Sequence, residues 1–144
     1  MKISTKSRYG SRAVLEIALN TNGVNLTRKQ ISKNQEIPSS YLENILISLK
    51  ANGIIRTIRG PKGGYELAVK PEDITIFNIV EILEGGADNI PCLTDSSKCT
   101  RTSTCVTRDV WSNLQKIQED FLKSITIKNL VEKTQNLYSP NFSI

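Results

Sequence analysis

The stretch TRKQISKNQEIPSSYLENILISLKANGIIRTIRGPKGGYELAV, residues 27–69, decides the fold of this chain. It opens with a capping box, in which the Thr27 hydroxyl accepts from the backbone of Gln30 while the Gln30 side chain reaches back. This box predicts a short helix to about residue 34. A second helix is predicted from Pro38 to Asn52 and Gly53, because four apolar side chains share one face and a glycine ends the pattern. Those four side chains are Leu42, Ile45, Leu46 and Leu49.

Beyond Gly53 the apolar period changes from that of a helix to that of a strand. Residues 54–59 and 65–69 are rich in β-branched and aromatic side chains, and a five-residue connection with three glycines and Lys62 joins them. This pattern predicts a hairpin with a basic tip. Two short helices followed at once by such a hairpin form a winged helix; a generic α+β domain is the alternative, because short helices before a hairpin are common. The tight spacing and the basic tip favour the winged helix.

Helices are also predicted on both sides of this stretch. Apolar pairs four residues apart indicate a helix over residues 8–19, and Thr75 caps a fourth helix that ends at Gly85 and Gly86. A polar loop runs from residue 87 to about residue 107, followed by a long helix and a last helix capped by Thr126. The predicted fold class is mainly α with a small β-hairpin. A winged helix-turn-helix DNA-binding domain is predicted over 1–86, a cysteine-bearing loop over 87–107, and a dimerisation helix with a C-terminal helix over 108–144.

The long helix carries an apolar stripe whose main members are spaced four, three and four residues apart. Such a stripe is typical of a coiled-coil-like seam, although this helix is short for one. It either packs back on its own domain or meets a second chain, and the small size of this half of the sequence favours a second chain. The predicted dimerisation residues are Val110, Trp111, Leu114, Ile117 and Phe121.

Charge is distributed unevenly along the 144 residues, a length that allows one domain or two small ones. The net charge is +5, but residues 1–70 hold 12 basic and 4 acidic side chains, whereas residues 71–144 hold 7 basic and 10 acidic ones. A basic half beside an acidic half suggests a polyanion-binding module joined to a segment that binds no polyanion. An ordinary soluble surface is the alternative.

The complete absence of histidine excludes several classes of site. Catalytic triads and zinc fingers that need an imidazole are ruled out, and the chain has neither a nucleophile–base pair nor a phosphate-binding loop, so an enzyme is not expected. No apolar run reaches the roughly 18–20 residues that span a membrane, and no signal peptide is recognisable, so a cytoplasmic protein is expected. A scaffold that only binds partners through the long helix would not need the basic half.

In a helix-turn-helix, the first residues of the second helix contact base edges in the major groove. A serine hydroxyl is an adaptable partner, an asparagine can pair an adenine edge, and a glutamate can accept from a cytosine amino group. Glu43 either discriminates between bases or is simply a solvated helix residue. The candidate base-reading residues are Ser39, Ser40, Tyr41, Glu43 and Asn44, and the candidate phosphate contacts are Arg28, Lys29, Lys33, Arg56, Arg59 and Lys62.

Three cysteines, Cys92, Cys99 and Cys105, are separated by six and five residues in a stretch rich in threonine and serine. Buried cysteines normally lie among aliphatic side chains, whereas these lie in a polar loop whose spacing lets three thiolates converge. Three thiolates suit zinc or an iron–sulfur cluster, and the thiols acting alone as a redox switch are the alternative. A fourth ligand would have to be a carboxylate, a hydroxyl, water or a group from another chain; the local carboxylates are Asp88, Asp95 and Asp109.

Five segments together resemble the bacterial winged-helix transcriptional regulators typified by IscR, NsrR and CymR. They are MKISTKSRYG at 1–10, IPSSYLE at 37–43, LKANG at 49–53, RGPKGGY at 59–65, and ITIKNL at 125–130. The three-cysteine loop followed by Trp111 matches as well, so the resemblance runs nearly from end to end and is closest to the three-cysteine iron–sulfur branch.

This resemblance implies a homodimer with crossing long helices, bound to a palindromic site on double-stranded DNA, with recognition helix and wing in successive grooves. It implies that the three cysteines hold a [2Fe–2S] or [4Fe–4S] cluster whose state changes operator binding. The protein is then a repressor that senses iron–sulfur supply or redox and nitrosative stress. The alternative is a cluster-free regulator of cysteine or sulfur metabolism, as in the CymR branch, which responds through thiols or a partner enzyme of cysteine synthesis.

Two departures from the family pattern concern the fourth cluster ligand. IscR-type members have a histidine three residues after the third cysteine, where this chain has Arg108. NsrR-type members draw a carboxylate from the first helix of the second subunit, where this chain has Arg8. Asp109, next to the missing histidine, is therefore the candidate fourth ligand.

Overall fold

The structure, a computed structural model, describes residues 3–20, 23–85 and 90–138 and is mainly helical with one small hairpin, which confirms the predicted fold class. Short 3₁₀ turns occur at Pro71–Asp73 and Ser96–Lys98. None of the described helices is long and apolar enough to cross a membrane. The elements are α1 (Thr5–Leu19), α2 (Arg28–Gln35), α3 (Ser39–Ala51), β1 (Ile55–Ile58), β2 (Gly64–Leu67), α4 (Ile76–Glu84), α5 (Pro91–Thr94), α6 (Val106–Ser124) and α7 (Ile127–Tyr138).

Three helices begin at the threonine caps that the sequence predicts. The Thr27 hydroxyl accepts from the backbone N–H of Gln30 at 3.3 Å, and the Gln30 side chain accepts from the Thr27 N–H at 2.8 Å, which completes the capping box of α2. Thr75 caps α4 in the same reciprocal way. The Thr126 hydroxyl likewise accepts from the third residue of its helix, α7. These caps satisfy N–H groups that a helix leaves unpaired at its start.

The hydrophobic core joins the first helix to the last. Helix α1 packs against α2, α3, α4 and α7. Gly10 permits the close approach of α4, because a Cβ at that position would overlap the Leu83 side chain. The buried side chain of Ile127 places α7 in the same core. The predicted domain boundaries, after residues 86 and 107, stay predictions. The core residues are Ala13, Val14, Ile17, Ile31, Ile37, Leu42, Ile45, Leu46, Leu49, Ile54, Ile55, Ile74, Ile79, Leu83 and Ile127.

Helix α1 begins three residues before the predicted position, because Ser4 caps it: its hydroxyl accepts from the Ser7 N–H at 3.2 Å. The fully buried Ser7 hydroxyl donates to Glu84 at the end of α4, and the Ser4 backbone N–H donates to the same carboxylate at 3.1 Å. Burial tends to raise the pKa of Glu84, but the hydrogen bonds from Ser4 and Ser7 hold that pKa below its ordinary value. The start of α1 is thereby tied to the end of α4.

The predicted polar loop over 87–107 is more structured than the sequence suggests. Its described part contains the single helical turn α5, which begins at Pro91, and a 3₁₀ turn in which the Asp95 side chain accepts from the Ser97 N–H. Proline is favoured at the first position of a helix because its fixed φ suits the helix and its missing N–H is not needed there. Prolines usually mark irregular segments, so the sequence pattern did not indicate this turn.

Candidate nucleic-acid interface and cysteine segment

The outward face of α3 carries the predicted base-reading residues. Four apolar side chains of this helix are buried, which turns Ser40, Glu43 and Asn44 to the opposite, exposed side. Ser39, the first residue of the helix, is exposed as well. The helix therefore offers hydroxyl, amide and carboxylate groups together in its first two turns, where a recognition helix reads bases.

Glu43 forms an ion pair with Arg28, the first residue of α2. Both side chains are roughly half exposed, so the pair adds little to stability. It does connect the two helices of the helix-turn-helix on their solvent side and fixes where the Glu43 carboxylate lies. The structure thus unites a predicted phosphate contact with a predicted base reader, which the sequence did not indicate because the two residues lie fifteen positions apart.

Tyr41 lies between α3 and α1. Its ring packs edge-on against Tyr9 with the centroids 5.8 Å apart, and the Arg12 guanidinium lies 5.6 Å from the centroid of the Tyr9 ring. Tyr41 keeps 40% of its surface exposed. An edge-to-face pair of this kind stabilises the contact between two helices. Tyr41 therefore supports the orientation of α3 as well as contributing to its exposed surface.

The hairpin forms a wing that is fixed at its base. The register pairs Ile55 with Leu67 and Ile58 with Gly64. The Tyr65 N–H donates to the Leu26 carbonyl at 2.8 Å, which forms an isolated β-bridge between the hairpin and the segment before α2. A Cβ on Gly64 would lie 2.6 Å from that carbonyl oxygen, so this close approach requires glycine.

The wing tip is supported by a hydrogen bond from the segment before α2 and carries exposed cations. Asn25 donates through Nδ2 to the Lys62 carbonyl at 3.3 Å, which fixes the tip while the Lys62 side chain stays exposed. Arg59 is exposed beside it. Arg56, by contrast, forms an ion pair with Glu66 across the hairpin, so this predicted phosphate contact already has a partner. Lys29 and Lys33, on α2, are exposed.

Helix α6 turns its apolar stripe to solvent. Its partly buried positions, among them Gln115, Gln118 and Glu119, are largely polar, although the helix packs against α4 and α5. The predicted seam does not pack back on its own domain. Its five residues are all exposed: Val110 57%, Trp111 44%, Leu114 46%, Ile117 67% and Phe121 63%. Contiguous exposed apolar surface of this kind is typical of an interface with another chain.

The three cysteines lie immediately before this helix, and each is a free, half-buried thiol. Cys92 is in α5, Cys99 follows the 3₁₀ turn, and Cys105 is the residue before α6. Arg108 donates from Nε to the Cys92 carbonyl at 3.2 Å, which holds the first cysteine against the start of α6. Arg108 stands where a family histidine would be a ligand, and here it positions the backbone of a cysteine instead.

Cys105 is chemically distinct within this segment. Its Sγ lies 3.3 Å from the Thr107 hydroxyl, and that hydroxyl together with the backbone N–H of Arg108 lowers the pKa of the thiol below its ordinary value. The position before the first turn of a 19-residue helix favours the same thiolate through the helix dipole. The lowered pKa favours the thiolate form of Cys105, which is the form that binds a metal or reacts with an oxidant.

The carboxylates near the cysteines have different surroundings. Asp95 accepts from both the hydroxyl and the N–H of Ser97, and these bonds lower the pKa of Asp95. Asp109 follows Arg108 directly and lies exposed in the first turn of α6. Asp88 falls outside the described residues.

Within residues 3–20, 23–85 and 90–138, no group of three or more cysteine and carboxylate side chains is arranged to hold a metal ion. The donor chemistry nevertheless fits an iron–sulfur cluster, since three thiols occur in a segment of fourteen residues and none is in a disulfide. The residues that would hold a cluster are therefore present, and a rearrangement of the segment would have to bring them together.

The sequence did not predict the roles of three residues in the interface and in the cysteine segment. Ile47 is exposed on α3, Asn25 supports the wing, and Arg108 supports Cys92. Of the three, only Ile47 could have been found from the sequence, because it follows Ser40 by seven residues and therefore lies on the same face of the helix. The other two act through contacts between distant parts of the chain.

Comparison with known proteins places the chain in a family. Residues 3–133 match the Rrf2 family model, described as an iron-dependent transcriptional regulator. An HTH-type transcriptional regulator of Haemophilus influenzae is 36% identical over 133 residues, which are 92% of this chain and 88% of that protein.

Two solved structures have the same fold. T. potens IscR superposes with a TM-score of 0.79 at 30% identity, covering 96% of this chain and 91% of that one. CymR, the global cysteine regulator of B. subtilis, superposes with a TM-score of 0.77 at 29% identity, covering 92% and 98%. These relatives are named as regulators and not as enzymes, which confirms the predicted class and the winged-helix fold. The chain belongs to the Rrf2 family of transcriptional regulators.

Proposed function

We propose that this protein is a homodimeric, sequence-specific DNA-binding repressor of the cytoplasm, controlled by an iron–sulfur cluster. The observation that carries the proposal is the placement of three free thiols directly before α6, the helix whose apolar stripe is exposed. A ligand that draws Cys92, Cys99 and Cys105 together would act on the start of that helix. Because α6 also packs against α4, such a change would reach the winged helix.

The DNA-binding half of the proposal is supported by α3 and the wing. Ser39, Ser40, Tyr41, Glu43 and Asn44 would face base edges from the outward side of α3. Positive side chains on α2 and the wing would contact phosphates, and their number makes binding strongly dependent on salt. These cations are Arg28, Lys29, Arg59 and Lys62.

The dimer is supported by the stripe on α6. Two copies that pack their stripes together would cover Val110, Trp111, Leu114, Ile117 and Phe121 at once. A two-fold dimer presents two recognition helices related by the same axis, so its operator is a palindrome. The dimer thereby determines both the form of the operator and the position of the two cysteine segments.

The cluster is tested by anaerobic reconstitution of the full chain with iron and sulfide. We expect visible absorption and bound iron, and we expect both to be lost in Cys92→Ser, Cys99→Ser and Cys105→Ser. Asp109→Ala tests the proposed fourth ligand and should weaken retention of the cluster without abolishing its assembly. A colourless, iron-free protein after reconstitution would remove the cluster from the proposal and leave the DNA-binding regulator.

A second candidate is a cluster-free regulator that responds through its thiols or through a partner enzyme of cysteine synthesis. It is favoured by the lowered pKa of Cys105 and by the structural likeness to the cysteine regulator CymR. Oxidation would then alter operator binding in iron-free protein. A gel-shift titration of reduced and peroxide-treated protein, with Cys105→Ser as the control, distinguishes the two candidates.

A further inference from the structure

Ile47 is a large apolar side chain on the exposed face of the helix that would read DNA. It is 60% exposed, whereas the buried side chains of α3 are at most 1% exposed. An α-helix has 3.6 residues per turn, which places Ile47 almost directly opposite the buried face. Nothing in the packing of the domain requires an isoleucine there.

Ile47 shares its face with the polar candidates. Ser40, Glu43, Asn44 and Ile47 follow one another at spacings of three, one and three residues. Four residues at this spacing are what the recognition helix of a homeodomain uses to read the major groove. At a rise of 1.5 Å per residue, Ser40 and Ile47 lie about 10 Å apart along the axis, close to the length of three base pairs.

The surroundings favour DNA over an apolar protein partner. Residues 1–70 hold 12 basic and 4 acidic side chains, and Lys50 is exposed in the last turn of the same helix. Such a surface attracts a polyanion. An isoleucine cannot form side-chain hydrogen bonds with base edges. The apolar group that the major groove offers is the C5 methyl group of thymine.

We propose that Ile47 packs against the C5 methyl group of a thymine and so determines the preferred base at one position of each half-site. This inference rests on the proposed DNA-binding function and deepens it. Ser40 and Asn44 would read neighbouring base pairs through hydrogen bonds. Ile47 would add an apolar contact one turn further toward the C-terminus of α3.

The test replaces thymine by deoxyuridine, which lacks only the methyl group. The probe is a duplex enriched from a randomised library with the wild-type protein, and substitution proceeds through one thymine pair at a time, at symmetric positions of the two half-sites. Burial of one methyl group contributes about fourfold in affinity, so substitution in both half-sites should weaken wild-type binding on the order of 15-fold at one position.

The variant is Ile47→Ala, with Val69→Ala as a control at an exposed apolar residue outside α3. Alanine has the higher helix propensity, so Ile47→Ala should fold normally, and circular dichroism checks this. We expect Ile47→Ala to lose the thymine-over-deoxyuridine preference at that position, while Val69→Ala keeps it. If the variant keeps every deoxyuridine effect of the wild type, or the wild type shows none, the inference is overturned. If no duplex is enriched at all, the proposed DNA-binding function fails and the inference with it.

Discussion

Two regions of this protein are stabilised in different ways. The body, α1 to α4 with the hairpin and α7, contains every residue of the hydrophobic core. The arm, residues 90–124, has no fully buried side chain among its described residues, and its α6 exposes a row of large apolar groups. The body is therefore shaped by its own packing. Under the proposed function, the arrangement of the arm depends on a second chain and on what its thiols bind.

The largest predicted effect separates the two regions by stability. Leu46 is 1% exposed in the body, and Leu46→Ala should lower the free energy of unfolding by about 2–5 kcal/mol at every protein concentration, because it leaves a cavity. Ile117→Ala in the arm should change that free energy by less than about 0.5 kcal/mol in dilute protein, with a larger loss in concentrated protein where the dimer forms. Urea unfolding at two concentrations measures both, and an equal, concentration-independent loss for the two variants would contradict the comparison.

The second prediction concerns association. Ile117→Asp should convert a dimer into a monomer of 16.0 kDa, because a carboxylate cannot be buried unpaired in an apolar seam. Ser112→Asp adds the same charge to an exposed position of α6 outside the stripe and should leave the dimer intact. Sedimentation equilibrium measures the mass. A dimer that persists in Ile117→Asp would show that the seam lies elsewhere.

The third prediction concerns DNA binding and compares two cations of the wing with a cation of α7, all within the body. Arg59→Ala and Lys62→Ala should each weaken binding and lower the slope of log affinity against log salt by about 1. Lys128→Ala, on the outer surface of α7, serves as the control and should leave the slope unchanged. Fluorescence anisotropy of labelled DNA over a range of salt concentrations measures the affinity and its salt dependence. Equal slopes for all three variants would place the phosphate contacts outside the wing.

The smallest predicted effect concerns Glu84, which joins the end of α4 to the start of α1 within the body. Its pKa lies below the ordinary value of 4.5, so its contribution to stability is present above pH 4.5 and is lost as the pH falls through the lower, folded-state pKa. The carboxylate is exposed and screened, which limits the effect to less than about 1 kcal/mol. Wild type should exceed Glu84→Gln in unfolding free energy at pH 7, and the difference should shrink near pH 3. A difference that grows with acid would contradict the sign.

Local signals in the sequence predicted the body well. The caps at Thr27 and Thr75, the apolar face of α3 and the glycine-rich connection of the wing each act over a few residues, and each forms as expected. The early start of α1 depends on the Ser4 hydroxyl, a local cap that lies outside the apolar pattern of the helix. The Ser4 N–H also donates to Glu84, which is 80 positions away. Contacts of that range leave no periodic pattern, so they could not be found in advance.

In the candidate site, too, local patterns were predictable from the sequence and contacts between distant residues were not. Residue types and spacing predicted that Ser40, Glu43 and Asn44 share the exposed face of α3 and that exposed cations flank the tip of the hairpin. That these residues contact DNA, and that the three cysteines hold a ligand, stay predictions. Residue types and spacing did not reveal that Glu43 pairs with Arg28, that Arg56 pairs with Glu66, or that Arg108 holds the backbone of Cys92. These are contacts between side chains on different elements, and their partners are selected by the tertiary structure.

The most direct test of the difference between body and arm is hydrogen–deuterium exchange of the full chain, before and after anaerobic reconstitution with iron and sulfide. We expect slow exchange in α1, α3 and α4 in both samples. In residues 90–105 we expect fast exchange without the cluster and slow exchange with it. Equal protection of residues 90–105 and the body in iron-free protein, unchanged after reconstitution, would show that this segment is stabilised in the same way as the body and that no cluster orders it.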